Sequence, residues 1–301
     1  MMKRIMGISL LVLWLAACSQ EAPESAQSET EKVAENATPE APTADSIQVG
    51  KDYHSFSNPE QMKVRNVALD LNVDFDRKVL DGSAVLSVER IAKGAQTLML
   101  DTKELTIHKV EANGAPLEFE LGTADSFLGA PLSISIPADV DQVKIFYTTS
   151  PSASGLQWLT PAQTAGGEHP FLFSQAQAIH ARSFIPLQDS PQVRVTYQAI
   201  LRTPPGLRAV MSASNDPEAA LDGVYEFTMP QPVPSYLIAL AVGDLRFKAM
   251  GERTGVYAEP ELLDAAAKEF EDTESMLIAT EKRYGPYGWD RYDLLILPPS
   301  F

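Results

Sequence analysis

The chain has almost no sulfur chemistry to offer. Cys18 is its single cysteine in 301 residues, so no intramolecular disulfide can form, and a cysteine metal cluster or cysteine nucleophile in the body of the protein is excluded. Histidine is scarce too. His54, His108, His169 and His180 are widely spaced and sit in unlike contexts, so each reads better as a surface or hydrogen-bonded interior residue than as a metal ligand. No HExxH, GxSxG, phosphate-binding glycine loop or catalytic carboxylate pair occurs. Positive charge is also in short supply: 40 Asp and Glu outweigh 24 Lys and Arg, for a formal net charge of −16. No basic cluster marks a phosphate-binding face, which argues against nucleic acid as a partner.

What is present begins with an address. Lys3 and Arg4 precede an apolar run from Ile5 to Ala17, too short to span a bilayer but of the length of a signal-peptide core. The run ends in "LAAC" and resembles a bacterial lipoprotein signal. Residues 1–17 would then be removed and Cys18 lipidated. Ser19 follows, pointing to an outer-membrane lipoprotein of the cell envelope facing the periplasm. The alternative is an ordinary export signal beside an incidental thiol. Residues 18–49 contain seven acidic residues, one lysine and no aromatic. Such a segment cannot bury enough surface to offset its ordering entropy, so it reads as a disordered acidic tether.

The remaining residues are enough for a sizeable core. In "VRNVALDLNVD", Val67, Leu69, Leu71 and Val73 fall on one strand face, and "LDGSAVLSVER" completes a hairpin. "NG" at Asn113–Gly114 marks another turn. Short alternating segments separated by Gly, Pro and Asp continue to about residue 253. The reading is a mainly β, antiparallel sandwich-like domain over residues 50–253.

At Glu259 the period changes. Leu263, Ala266, Phe270, Thr273 and Leu277 recur at helical spacing and predict one amphipathic helix of about six turns. Pro260 suits its first turn and "GPYG" its end. "YDLLILPPSF" reads as a buried strand entering a proline turn. Residues 254–301 therefore look like the start of a second, α-containing domain.

Gln175 and Gln177 stand out in "LFSQAQAIHARSFIPLQDSP". On a strand, two carboxamides at i and i+2 share a face, and buried without partners they would cost about 1–3 kcal/mol each. Water, another part of the protein, or a ligand must answer them, and composition does not choose. A carboxamide both donates and accepts, so it can receive an ammonium without itself carrying charge. Trp158 reads as packing, and Asp189, after a third glutamine, as a turn cap or backbone brace.

Four blocks, "TSPSASGLQWLTPAQT", "PFLFSQAQAIHARSFIPLQDSP", "VPSYLIALAVGDL" and "EFEDTESMLIATEKRYGPYGWDRYDLLILPPSF", resemble the M1 zinc aminopeptidases, in particular the leukotriene A4 hydrolase-like branch. The resemblance runs from about residue 58 to the end. It implies a saddle-like N-terminal β domain followed, near residue 254, by the first helix and strand of a thermolysin-like catalytic domain. It also implies one Zn2+, held by the histidines of HExxH and a downstream glutamate. None of these ligands is in the sequence, which stops before the family's GxMEN loop, so the chain is expected to be a truncated, inactive portion of a peptide-cleaving enzyme. By the same resemblance Gln177, seconded by Gln175, helps hold the free α-amine of a peptide substrate. Ser300 and Phe301 lie at the lip of that cleft. The leukotriene epoxide-opening activity is not carried over, because the residues deciding it lie mostly outside this sequence. The competing expectation is a lipid-anchored β-sandwich binding or scaffolding module without catalysis.

Overall fold

The computed structural model describes residues 51–299. Cys18, the signal and tether segments, Ser300 and Phe301 lie outside the described residues. The first eight strands are β1 (Met62–Asp74), β2 (Val79–Arg90), β3 (Thr97–Thr102), β4 (Thr106–Ala112), β5 (Ala115–Pro116), β6 (Phe119–Leu121), β7 (Ala130–Ser135) and β8 (Gln142–Thr148). Six more follow: β9 (Leu156–Leu159), β10 (Phe171–Ser174), β11 (Arg194–Arg202), β12 (Arg208–Met211), β13 (Val224–Pro234) and β14 (Leu240–Gly243). The last elements are β15 (Arg246–Ala249), β16 (Thr254–Ala258), α1 (Pro260–Glu269), α2 (Thr273–Tyr284) and β17 (Tyr292–Leu295). The fold is mainly β, as expected.

A seven-stranded sheet runs β13-β11-β1-β2-β8-β4-β5, with smaller sheets β3-β7-β6, β12-β14-β10-β9 and β15-β16-β17. The β1–β2 hairpin is as read, and Val67, Leu69, Leu71 and Val73 are all buried in the main core. The turn between β4 and β5 uses Asn113 and Gly114, both at positive φ, which matches the right-handed twist of the flanking strands. β7 and β8, adjacent in sequence and both alternating, join different sheets: β7 pairs with β3, and β8 with β2 and β4.

Two expectations for the C-terminal region fail. The six-turn helix is broken into α1 and α2, and Phe270, placed in its apolar stripe, caps α1 and is exposed. The reason lies in "EFEDTE". A fresh start at Thr273 puts Asp272 and Glu274 at a helix N-terminus, where negative charge is favoured, whereas within one continuous helix they would gain nothing from the dipole. The Thr273 hydroxyl donates to the Phe270 carbonyl (2.7 Å), holding the joint. α2 does end at Gly285, at φ 96°, and α1 does begin with Pro260. The second correction is β17. It is half-exposed rather than buried, because it forms the outer strand of the β15-β16-β17 sheet, parallel to β16.

Candidate functional site

The stretch Ala181–Ser190 lies entirely buried although it contains an arginine, an aspartate and a glutamine. A buried loop must find partners for its backbone as well as its side chains, and this one does so around Arg182, which is fully buried. Its Nε donates to Asp189 Oδ2 (3.0 Å), Nη1 to Leu128 O (2.8 Å), and Nη2 to His54 O (2.7 Å) and Asp189 O (3.0 Å). Asp189 also accepts the Arg182 N–H (3.2 Å) and the Ser235 hydroxyl (2.5 Å). Asp101 closes the network, accepting from Ser55 Oγ (2.6 Å), Phe56 N (2.7 Å) and Asp189 N (2.9 Å). Burial pushes the Asp101 carboxyl above the usual carboxylate range, with the Arg182 charge opposing that rise. Asp189 is thus the backbone brace its sequence context suggested. Arg182 was not singled out beforehand; the signal available was a lone charge in an apolar run, seven residues before an acid.

The three glutamines of this region divide sharply. Gln188 is buried, and its carboxamide is spent on β1: Nε2 donates to Met62 O (2.8 Å) and Oε1 accepts from Val64 N (3.0 Å). Gln175 and Gln177 are exposed, flanking buried Ala176, and neither carboxamide meets a hydrogen-bond partner among the described residues. They do not lie on a strand, as the i, i+2 reading had supposed. β10 stops at Ser174, whose hydroxyl accepts the Leu240 N–H (2.9 Å), and the chain enters a turn containing a cis Gln177–Ala178 peptide.

Ser174 and Phe173, immediately before this turn, line a cavity of about 720 Å³. Its other walls include Met211, Leu240, Tyr257 and Leu295; neither glutamine lines it. Phe171, Phe173, Leu245 and Tyr257 form a small core against which Leu297 packs, so the segment after β17 reaches the β10 sheet close to the turn. At the other end of β10, buried Glu259 accepts the Ala165 and Gly166 N–H groups (2.9 and 3.3 Å), locking the β9–β10 connection to the start of α1.

Zinc finds no fit in this part of the chain. Among the described residues no group of three or more His, Cys, Asp and Glu is placed to hold a metal. His108 and His180 are instead bonded to Thr148 and Ser154 (2.7 and 2.8 Å), and His54 and His169 are exposed. Trp158 packs edge-on against Phe75 (5.4 Å), as its context implied.

Residues 46–237 match the model of the peptidase M1 N-terminal domain. Over 260 residues, 83% of this chain, the sequence is 45% identical to leukotriene A-4 hydrolase of Xenopus laevis and 42% identical to leucine aminopeptidase 2 of Yarrowia lipolytica, covering 43% and 39% of those proteins. The structure of yeast LTA4 hydrolase in complex with bestatin superposes with a TM-score of 0.79 at 33% identity, over 85% of this chain and 40% of that one. The M1 zinc metallopeptidase of Deinococcus radiodurans shares the fold, at a TM-score of 0.63, 19% identity and 81% and 59% coverage. The chain therefore spans about two-fifths of the length of the curated relatives it matches. It belongs to the peptidase M1 family, matched through that family's N-terminal domain and similar to its leukotriene A4 hydrolase-like members.

Proposed function

We propose that this chain forms the amine-recognising part of a zinc-dependent aminopeptidase that removes N-terminal residues from peptides. In this reading residues 50–253 are the β domain, residues 254–301 open the catalytic domain, and the metal with its ligands lies outside residues 51–299. The observation that carries it is the pair of exposed, unpartnered carboxamides of Gln175 and Gln177, in a chain 42% identical to a protein named leucine aminopeptidase 2. A carboxamide oxygen accepts from an ammonium N–H and adds no charge of its own. Held in place, it selects a free N-terminus and sets the distance from the amine to the bond to be cut. Ser300 and Phe301, outside the described residues, are assigned to the lip of the cleft by the family resemblance alone.

The test is kinetic. In the enzyme that contains this chain, Gln177→Ala should lower kcat/KM for aminoacyl substrates by about 1–3 kcal/mol, the scale of a lost charge-assisted hydrogen bond; an unchanged kcat/KM removes Gln177 from the site. The 301-residue chain alone should retain no stoichiometric zinc after dialysis and cleave no aminoacyl substrate. An open reading frame past codon 301 encoding GxMEN and HExxH favours the enzyme, and a stop codon there favours the scaffolding module. Cys18 is proposed to carry the lipid that anchors the protein to the outer membrane. Mass spectrometry of the mature N-terminus checks that directly, since an unmodified thiol there ends the idea.

A further inference from the structure

The turn that presents Gln175 and Gln177 is closed by a ring of four hydrogen bonds. The Gln175 N–H donates to Gly155 O (2.9 Å), and the Gly155 N–H donates to Ser183 Oγ (2.8 Å). The Ser183 hydroxyl donates to His180 O (2.7 Å), and the His180 N–H donates back to Ala176 O (2.8 Å). Every group in the ring is main chain except one: the Ser183 hydroxyl, which is fully buried and uses its oxygen as acceptor and its proton as donor. Gly155 is tied to the same point by space. A Cβ there would lie 2.5 Å from His180 O and 2.9 Å from Ser183 Oγ.

We propose that Ser183, seated against Gly155, is the positioning residue of the amine-recognition turn, fixing where the Gln177 carboxamide meets the substrate's ammonium. The inference rests on the reading of Gln177 given above. Residues 176 to 180 are pinned at both ends by the ring, so Gln177 leaves from a short span whose backbone has nowhere to relax. Removing the hydroxyl strands the buried Gly155 N–H and leaves the His180 carbonyl only the Ser183 N–H (3.1 Å), so the turn loses its tie to the Gly155 N–H and can shift against it. A small misplacement of an orienting group is enough to cost one to two orders of magnitude in recognition.

The measurement is a selectivity ratio in the complete enzyme: inhibition by a dipeptide with a free α-amine relative to its des-amino counterpart. General loss of fold or of active enzyme leaves this ratio unmoved. Gln177→Ala and Ser183→Ala should each lower it by about tenfold, and the double variant should lower it no further, because both act through one contact. Gly155→Ala keeps the hydroxyl but drives a methyl into the ring. It is expected to give the same shift, and it carries the test if Ser183→Ala does not fold. A wild-type ratio in Ser183→Ala or Gly155→Ala, or losses that multiply in the double variant, overturns the role of Ser183 while leaving Gln177 in place. An unchanged ratio in Gln177→Ala overturns the functional reading, and this proposal with it.

Discussion

The loop Ala181–Ser190 and the segment α2–β17 treat polarity in opposite ways. The loop is buried throughout, yet its charges are answered by named partners within the protein. In α2 only Leu277 is buried, while Met276, Ile278 and Tyr284 stand exposed, as do Trp289 and Leu295 farther on. α2 is held chiefly by charge: Arg253 makes paired hydrogen bonds to Glu281 (2.8 Å each) and a longer one to Glu274 (3.5 Å). Where apolar packing is dense, a buried ion network is tolerated because every member is satisfied. Where packing is thin, a surface clasp sets the register of a helix but supplies little stability.

The contrast breaks most visibly at Arg182. Arg182→Met leaves Asp101 and Asp189 buried without their cation and should cost about 3–5 kcal/mol; chemical denaturation of the chain reads this directly, and a loss below 1 kcal/mol would mean the network is not closed. Next in size is the apolar core. Leu86→Ala should cost about 2–5 kcal/mol, since Leu86 is wholly buried in the seven-stranded sheet. Met276→Ser on α2 should stay within about 0.5 kcal/mol of the parent, and a comparable loss at both positions would erase the distinction.

The smallest effect is a pH dependence. Hydrogen bonds from Arg253 first, and from the Tyr287 N–H second, pull the Glu281 carboxyl from 4.5 down to about 2. Its folded value lies below its unfolded one, so its contribution is fully present above about pH 4.5 and fades as pH falls toward 2. The melting-temperature gap between the parent and Glu281→Gln should therefore be constant from pH 7 to 5 and close only below that window. A gap that closes near pH 6 would rule the clasp out as its cause.

Much of the β domain was legible because strand alternation and turn chemistry are local. Val67 to Val73 and Asn113–Gly114 announce themselves within a few residues. The helix break is missed when the apolar stripe is weighed without the acids that favour a second N-terminus at Thr273. β17 is misjudged because the apolar run Leu294–Leu297 looks alike at an edge and in a core; only the neighbouring strands tell them apart. The candidate site was half legible. The residues of interest were marked by two amides in an apolar run, but nothing local distinguished Gln175 and Gln177 from Gln188, which has the same side chain and is bonded to the backbone of β1 and β3.

By itself, the sequence determined the family, the strand-rich body, and the start of the first helix and the end of the second, since these depend on residue type and short spacing. The tertiary structure alone decided which sheet each strand joined, that Arg182 is buried, and that Ser183 closes the turn beneath Gln177. Those outcomes rest on contacts between residues dozens of positions apart, where hydrogen-bond partners and burial are set by packing and not by the neighbours in the chain.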